Sequence, residues 1–527
     1  MESTSSQSRR NFLKTMVMAG SAAAINLRGF NALAADIPHK GKYPIVVIGS
    51  GLGGLVSAAY LSKSGFKVTL VEQHGVPGGY ATCFDRGNFS FDVSLHATVA
   101  EHGLPQMILK DLGVWENLTM AYAPELRRIL TKDFDLTLPA KDPEGVKRVL
   151  SDTFPHEKKG IHAFYTEMEQ VIAELWQGKK HTPSMMDILE KITLEQWICR
   201  HVTDPGVKYC MAIFSGYYGL SPREINALFY AIATGEYLVH GGQYYKTRSQ
   251  DLSDTLAGAI EKNAGSIQYN TLATEILFDD GGAVRGVITD KGITLPARAV
   301  VANCSVPILL NQMIPKNRIP VSFMDQAAQR RPSLSSFVVW LGLNRKLPHI
   351  KEYEIDIQHP EHSYDTLMQP LEDPARSDIS LTLYDNLFKG YSAPGNATLS
   401  IMSLCDYGHW KPFETAYFNN DKKAYNLEKE RIARAFIDRV EQTLIPGLGQ
   451  AIEVMEIGTP LTNVFYTKNP NGAIYGYDRN LPPLGSQTPI KGLYLASAWS
   501  HGGGYTPAMM AGRQAAKTIL KEFAARS

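Results

Sequence analysis

The stretch VIGSGLGGL, residues 47–55, decides the fold of this chain. An apolar run rich in β-branched residues, Pro44 to Ile48, precedes the glycines and predicts a buried parallel strand. Leu55 to Ser64 has helical spacing and ends at Gly65, a helix stop. Residues 67–71, KVTLV, predict a second strand that closes a βαβ unit. The glycines therefore lie between a strand and a helix, where this fold binds phosphate.

The glycines fit the pattern G-x-G-x-x-G at Gly49, Gly51 and Gly54, with a further glycine at Gly53. The first allows a tight turn, the second lets the backbone approach a pyrophosphate, and the third permits close packing of helix on strand. Glu72 ends the second predicted strand, where a carboxylate can accept hydrogen bonds from ribose hydroxyls and repel a 2′-phosphate. These residues alone permit either NAD or FAD.

Two further glycine-rich segments favour FAD. Gly78 and Gly79, in EQHGVPGGYATCF, form a second glycine turn whose backbone amides can reach the same pyrophosphate from another side. Residues 492–513, GLYLASAWSHGGGYTPAMMAGR, predict a strand, a glycine turn and the start of a helix over 507–524. The dipole of that helix would stabilise negative charge on a reduced flavin ring.

Composition excludes several classes of protein. The 527 residues exceed what one hydrophobic core usually serves, so two domains are expected. The 53 basic and 52 acidic residues give a net charge of +1, which argues against a nucleic-acid partner. The five cysteines form no CxxC pair and join no histidine cluster, so neither a disulfide framework nor a metal site is expected.

The first 34 residues have the features of an export signal. SRRNFLK, residues 8–14, precedes a weakly apolar run and the segment Ala32-Leu33-Ala34, an A-x-A cleavage pattern. This arrangement resembles the twin-arginine signal, whose translocon carries folded proteins, so we expect a periplasmic or otherwise exported protein. The alternative is a basic amphipathic tail or a transit peptide. No later window offers about 18 consecutive apolar residues, so we expect no membrane span in the mature chain.

The remaining pattern indicates an α/β fold with a Rossmann-like dinucleotide-binding domain and an inserted α+β substrate domain. Ser221 and Pro222 predict the N-cap and first residue of a helix over 221–233. Further predicted elements are helices within 142–175 and at 424–444, strands within 266–301 with a hairpin turn at 279–282, and a strand at 336–341. We expect a discontinuous dinucleotide-binding domain made of residues 43–110, 240–320 and 455–527. The substrate domain is expected to comprise residues 111–239 and 321–454.

The motifs together resemble the phytoene desaturase and retinol saturase branch of the FAD-dependent oxidoreductases. The likeness covers about residues 43–520. The segments that carry it are VIGSGLGGLVSAAYLSKSGFKVTLVEQHGVPGGYATCF (47–84), FSFDVSLH (89–96), GGQYYKTRSQDLSDTLAGAI (241–260), YNTLATEILFDDGGAVRGV (269–287), NPNGAIYGY (469–477) and GLYLASAWSHGGGYTPAMMAGRQAAKTI (492–519). This resemblance is specific for FAD and for the fold, but it is much less specific for the substrate.

The resemblance implies roles for particular residues. The glycines at 49, 51, 53 and 54 would hold the FAD pyrophosphate, and Glu72 would bind the adenosine ribose. The other implied cofactor contacts are Gly78, Gly79, Tyr80, the backbone of Ile276, and Ser497, Ala498, Tyr505, Thr506 and Met509. The chain departs from the pattern in two places: Gly502 follows His501 where relatives commonly have proline, and neither residue 497 nor 498 is an acidic ribitol ligand.

No catalytic dyad is evident. His96, His501 and Tyr505 lie in motifs expected near the flavin and are the candidate catalytic residues, although a buried, hydrogen-bonded structural role is the simpler interpretation of each histidine. Tyr244 and Tyr245 either line a substrate tunnel or pack in the core.

The leading functional hypothesis is desaturation, saturation or double-bond isomerisation of a hydrophobic polyene or isoprenoid. The alternatives are an exported amine oxidase and a non-catalytic flavin-binding or electron-transfer protein. A quinone or a redox protein is the expected electron acceptor, since NAD(P)H is scarce outside the cytoplasm. A lipid substrate would also bring peripheral contact with a membrane surface.

Overall fold

The computed structural model describes residues 37, 40–94, 96–177, 183–246, 248–367 and 371–525. The predicted export signal, residues 1–34, lies outside the described residues. Two large sheets, one parallel and one mixed, form the framework of the described chain. In these ranges, no helix is both long enough and apolar enough to cross a membrane.

The parallel sheet contains the predicted βαβ unit. Its five strands, in spatial order, are Leu493–Leu495, Ala299–Ala302, Pro44–Ile48, Lys67–Val71 and Ser266–Gln268. Every neighbouring pair is parallel, and Val46 at the centre pairs with both Val300 and Thr69. Such a sheet is covered on both faces, which explains why its central strands are continuous apolar runs. The predicted α/β fold is therefore confirmed.

Two helices with small residues cover one face of this sheet. The helix Leu52–Lys63, here called the glycine helix, packs against the helix Tyr505–Ala525, here called the C-terminal helix. A Cβ atom on Gly512 would lie 2.3 Å from the carbonyl oxygen of Gly53, so the two backbones nearly touch. This close approach brings the last described helix against the glycine motif. A third helix, Ser249–Lys262, packs on the glycine helix from the other side.

The mixed sheet has seven strands. In spatial order they are Ile452–Gly458, Ser335–Leu343, Ala397–Cys405, Ile379–Thr382, Glu354–Ile357, Glu125–Leu130 and Asp135–Pro139. All neighbours are antiparallel except Glu354–Ile357 and Glu125–Leu130. The long helix Lys423–Thr443 packs its buried side on this sheet. The predicted domain boundary between residues 454 and 455 falls inside the strand Ile452–Gly458.

A helical layer covers the far side of the cavity described below. Its longest members are Pro143–Thr153, Lys158–Gln177 and Ala227–His240, the last of which we call the aromatic helix. The prediction that Ser221 caps this helix is wrong. The Asn226 side chain instead accepts the N–H of Phe229 at 3.1 Å, and the helix begins at Ala227. Ser221 lies in a preceding turn, where its hydroxyl donates to Glu224.

Smaller elements complete the fold. The predicted hairpin is confirmed in a three-stranded antiparallel sheet, Ala273–Phe278, Val284–Thr289 and Thr294–Pro296. Two ribbons pair Cys83–Arg86 with Phe89–Asp92, and Thr119–Tyr122 with Gln243–Lys246. The remaining helices are Leu104–Leu112, Met185–Leu189, Leu194–Ile198, Pro205–Ala212, Ser215–Tyr218, Val306–Ile308, Val321–Ala328, Glu414–Phe418, Leu448–Ala451, Pro460–Thr467 and Ala498–His501.

Candidate functional site

A cavity of about 980 Å³ runs from the carboxyl ends of the parallel strands to the helical layer. Its first part, here called the glycine end, is lined by Gly49, Gly51, Gly53, Glu72, Gly78 and Gly79. Its other part, here called the aromatic end, is lined by Tyr209, Ile213, Tyr217, Tyr218, Phe229, Ile232 and Tyr237. Ligands of open parallel sheets bind at the carboxyl ends of the strands. The cavity therefore lies where this fold places its ligand.

The glycine end is made largely of backbone. Gly49 has φ +90, a conformation that side chains disfavour, and Gly51 is the N-cap of the glycine helix. No side chain in the described part of the chain caps that helix, and the first-turn residues Leu52 and Gly53 line the cavity with their N–H groups uncapped. A Cβ atom on Gly53 would lie 1.9 Å from the carbonyl oxygen of Ala496. Uncapped N–H groups in a cradle that excludes side chains fit the pyrophosphate of FAD.

Gly54 has a packing role rather than a lining role. It does not line the cavity, and a Cβ there would lie 2.0 Å from the carbonyl oxygen of Gly49. Asn303 also supports this turn and was not identified from sequence. Its amide Nδ2 donates to the Gly49 carbonyl at 3.4 Å, and it lines the cavity. The sequence could have indicated Asn303, because it directly follows the strand Ala299–Ala302. The carboxyl ends of these parallel strands are where ligands bind.

The second glycine turn lies against the first. The N–H of Gly78 donates to the carbonyl of Ser50 at 2.9 Å, and Gly78 and Gly79 both have positive φ. A Cβ on Gly79 would lie 3.3 Å from the Cα of Gly51. Tyr80 follows them along the cavity wall, where burial raises the pKa of its phenol above the usual range. The two predicted glycine turns are thus brought together.

Glu72 is buried at the rim of the glycine turn. Its Oε2 accepts the Ser50 N–H at 2.7 Å and the Ser50 hydroxyl at 2.6 Å, and its Oε1 accepts the N–H of His74 at 2.9 Å. A carboxylate has about four acceptor positions, so Oε1 keeps one for a ribose hydroxyl. The carboxylate is held in place by the chain before any ligand is bound.

The resemblance places the backbone of Ile276 against the adenine, but Ile276 is not one of the residues that line the cavity. That side chain is fully buried in the core beneath the three-stranded sheet and does not line the cavity. Thr271, Leu272 and Ala273 line it instead. The cavity reaches only the start of the strand Ala273–Phe278, which is why a residue three positions further along cannot meet it.

The predicted flavin-side loop contains a short helix, Ala498–His501. Ser497, Ala498, Tyr505 and Thr506 line the cavity as expected. Met509 does not, because it is fully buried on the packed side of the C-terminal helix. The first turn of that helix, with the glycines before it, forms this part of the wall.

His501 does not line the cavity. Its Nδ1 lies 2.9 Å from the hydroxyl oxygen of Ser500, and burial lowers its pKa to about 4. It is therefore neutral at pH 7, and its placement agrees with the structural role that the sequence left open. It has no surface on the cavity from which to act on a substrate.

His96 lines the cavity, but its ring is held by neighbours. Nδ1 lies 2.6 Å from the Thr382 hydroxyl and Nε2 lies 3.0 Å from the sulfur of Met402. Burial and the nearby charge of Arg127 lower its pKa to about 4. An imidazole with both nitrogens engaged shapes the cavity wall, and at pH 7 it is neutral rather than a cation.

Tyr244 and Tyr245 are fully buried and do not line the cavity, which settles the choice in favour of core packing. The Tyr244 hydroxyl donates to the carboxylate of Asp92, which also accepts the hydroxyl of Tyr391 at 2.9 Å. Burial raises the pKa of Asp92 to about 6 in spite of these donors. Burial and this carboxylate raise the pKa of Tyr505, so its phenol is protonated at neutral pH.

The aromatic end contains a buried arginine that the sequence did not reveal. Arg127 is 2% exposed, and its guanidinium lies 3.2 Å from Asp356 and 3.5 Å from Glu354. The rings of Phe214 and Tyr217 lie 5.1 and 4.9 Å from the guanidinium carbon. One buried guanidinium thus pairs with two buried carboxylates, an arrangement that leaves no cation without a partner at this position.

Comparison with known proteins relates this site to others. Residues 52–520 match the family model described as flavin containing amine oxidoreductase. All-trans-retinol 13,14-reductase from Danio rerio is 24% identical over 88% of this chain and 83% of its own. Prolycopene isomerase from Daucus carota is 24% identical over 86% and 76% of the two chains. Phytoene desaturase (neurosporene-forming) from Rhodobacter capsulatus is 22% identical over 88% and 91%.

Solved structures share the same fold. An oxidoreductase from Methanosarcina mazei superimposes with a TM-score of 0.64 and 16% identity, over 91% of this chain and all of that one. Wild-type putrescine oxidase bound to putrescine gives a TM-score of 0.62 and 14% identity, over 92% and 98%. At these identities the likeness establishes the fold alone.

Proposed function

Because the chain belongs to the family of flavin-containing amine oxidoreductases, we propose that it uses FAD to act on carbon–carbon bonds of a hydrophobic polyene or isoprenoid. The observation that carries this proposal is the cavity itself. It joins a backbone cradle for a dinucleotide to a long aromatic compartment, in which the described charges of Arg127, Glu354 and Asp356 are paired.

The two ends of the cavity would divide the work. FAD, when bound, supplies the transfer of electrons to or from the substrate. The uncapped N–H groups at Leu52 and Gly53 would bind its pyrophosphate, and Glu72 would orient its ribose. The aromatic end would exclude water and hold an extended apolar chain by contact with rings such as those of Tyr217 and Phe229.

Relatives of this chain support the substrate class. Their names describe reduction of all-trans-retinol, isomerisation of prolycopene and desaturation of phytoene, and all three matches extend over more than four-fifths of this chain. The three reactions share an isoprenoid substrate and differ in whether hydrogen is added, kept or removed. The proposal therefore covers saturation, isomerisation and desaturation, which a product mass separates.

Amine oxidation is the second candidate, supported by the family description and by the fold shared with putrescine oxidase. Against it stands Arg479, a cation on the cavity wall that would repel an ammonium group entering the site. Among the described residues, no carboxylate lies within ion-pairing distance of this guanidinium. An amine would thus meet an unneutralised positive charge.

A direct test compares both substrate classes on FAD-loaded protein. The protein is mixed anaerobically with all-trans-retinol, phytoene, prolycopene or putrescine, in the oxidised and in the reduced state. We expect polyene-dependent change in the flavin spectrum and a polyene product that has gained two hydrogens, lost two or kept its mass. Bleaching by putrescine alone would establish the amine oxidase instead. A tightly held flavin that responds to neither class would identify a non-catalytic flavin-binding or electron-transfer protein.

We also propose that the protein is exported with FAD already bound and passes electrons to or from a quinone or a redox protein near the membrane surface. The arginine pair in SRRNFLK supports the twin-arginine route, which carries folded cargo. Replacing Arg9 and Arg10 by lysine should leave FAD-loaded protein in the cytoplasm. Failure of soluble quinone analogues to reoxidise the reduced flavin would count against the quinone partner.

A further inference from the structure

Arg479 is a cavity-lining cation that has no anionic partner among the described residues. It is partly buried, and one of its amino groups donates to the carbonyl of Gly503 at 2.6 Å. Its guanidinium carbon lies 4.4 Å from the centre of the Phe229 ring, on the aromatic helix. In the described parts of the chain, its Nε finds no hydrogen-bond acceptor. A guanidinium has five N–H donors, so the single contact to Gly503 leaves most of them unused.

Other cations on the cavity wall are arranged differently. Arg127 faces Asp356 and Glu354, and Arg86 lies 2.6 Å from Glu456. Lys468 is exposed to solvent and needs no partner. Arg479 is the one among these four that is partly buried and has no carboxylate within 4 Å among the described residues. Burial lowers its pKa only to about 10, so its charge persists at neutral pH.

A buried charge without a partner destabilises a protein. Such a charge is retained where a bound ligand supplies the opposite charge. A bidentate carboxylate is the anion that matches the planar fork of a guanidinium best. The cofactor's own phosphates belong at the glycine end, against the glycine helix and the turn at Gly78. Arg479 instead contacts Phe229 and the carbonyl of Gly503, which join the aromatic end to the flavin-side loop.

We propose that Arg479 binds a carboxylate on the hydrophobic substrate, so that the cavity selects an apolar acid over the corresponding neutral molecule. This inference rests on the proposed function, because it names the chemical class of the substrate in the same cavity. The apolar chain would lie along the rings of the aromatic end, and its charged group would meet Arg479 beside Gly503.

Binding of a matched pair of compounds tests the proposal. FAD-loaded protein is dialysed to equilibrium against all-trans-retinoic acid or its methyl ester, which differ in charge and share the apolar chain. We expect the acid to bind about 10- to 100-fold more tightly, the effect of a charge-assisted hydrogen-bonded pair. Arg479→Gln should abolish this preference by weakening the acid alone, and Arg479→Lys should keep part of it.

A control variant separates local binding from general electrostatics. Arg331→Gln also removes one positive charge close by in the fold, but Arg331 is an exposed partner of Asp478 and does not line the cavity. It should leave the acid preference intact. Thermal unfolding of Arg479→Gln should match or exceed that of the wild type, because an unpartnered cation is removed.

Three outcomes would overturn the inference. Equal binding of acid and ester by the wild type, or equal weakening of both by Arg479→Gln, would show that no carboxylate is recognised. An unchanged acid preference together with a shifted flavin midpoint potential in Arg479→Gln would assign the charge to the flavin. Turnover is not required for any of these measurements, so a protein that prefers the acid but converts no polyene would refute the proposed function and leave this inference standing.

Discussion

At the glycine end of the cavity the backbone faces the ligand, whereas at the aromatic end the side chains do. The glycine end excludes even a methyl group, as the 1.9 Å approach of a Cβ on Gly53 to Ala496 demonstrates. The aromatic end accepts large rings but contains charges that must be balanced, as Arg127 is by Asp356 and Glu354. Steric exclusion governs one end and charge compensation governs the other.

The largest effect is expected at the glycine end. In Gly53→Ala the new methyl group would collide with the Ala496 carbonyl and push the glycine helix from the flavin-side loop. We expect flavin content below the detection limit and at least about a 100-fold loss of activity, which corresponds to roughly 3 kcal/mol. The ratio of flavin to protein absorbance after purification measures this directly.

Gly258→Ala is the matched control for this change. Gly258 is an exposed residue in the helix Ser249–Lys262, and a Cβ there would meet nothing within 4 Å. Alanine should therefore keep the flavin and stabilise the helix by about 0.5–1 kcal/mol. Normal flavin content in Gly53→Ala would contradict the conclusion that steric exclusion governs the glycine end.

At the aromatic end the largest effect should come from charge. Arg127→Met would leave Asp356 and Glu354 buried without their cation, at a cost of about 3–5 kcal/mol in the free energy of unfolding. Urea denaturation measures this cost. Arg128→Met tests the adjacent residue, whose partners Asp135 and Glu352 are more exposed, and should cost about 1 kcal/mol or less. Equal losses in the two variants would contradict the importance of burial.

A pH dependence of stability should arise in the same region. Glu125 accepts the N–H groups of Tyr353 and Glu354, and burial raises its pKa from 4.5 to about 7. Between these values the folded state binds more protons than the unfolded state, so stability decreases as the pH rises from about 5 to 7. We expect Glu125 to account for a decrease of about 2–3 kcal/mol in the free energy of unfolding over this pH range.

Glu125→Gln should remove that part of the pH dependence, because glutamine keeps an acceptor oxygen and does not titrate. The free energy of unfolding, measured at several pH values between 5 and 8, should then differ between the two proteins mainly above pH 6. An identical slope in wild type and variant would show that Glu125 is ionised in both states.

The smallest effect concerns the helix that carries Phe229. Asn226→Ala should destabilise the protein by about 1–2 kcal/mol, since it removes the N-cap contact to Phe229 and the amide contact to the carbonyl of Glu190. Ser221→Ala, which changes a turn residue, should alter stability by less than about 0.5 kcal/mol. A larger loss of stability in Ser221→Ala than in Asn226→Ala would show that Ser221 is the N-cap.

Sequence patterns predicted the glycine end well because its information is local. The strand Pro44–Ile48, the glycines and Glu72 follow one another within thirty residues. The aromatic end depends on pairing between distant segments: Arg127 meets Asp356 only because the strands Glu125–Leu130 and Glu354–Ile357 lie side by side. No local pattern announces such a contact, and none distinguishes a partnered arginine from Arg479.

The predicted site residues that do not line the cavity are displaced from it for related reasons. Ile276 and Met509 were placed by motif, and each lies just beyond the reach of the cavity along its strand or helix. His501 belongs to a motif that does line the cavity, but the short helix Ala498–His501 turns its ring toward Ser500. Two residues suited to capping, Ser221 and Asn226, stand five positions apart, and the pattern alone favoured the wrong one.

The order of strands in the parallel sheet also has a consequence for biosynthesis. The glycine turn emerges from the ribosome long before the strand Leu493–Leu495, which pairs with Ala299–Ala302, and before the C-terminal helix. Until they arrive, one face of the glycine helix is bare and the wall at Ala496 is missing. Cofactor capture must therefore follow translation of the C-terminal helix. A prematurely terminated chain would lack both the cofactor and a finished core, which makes it a target for proteolysis.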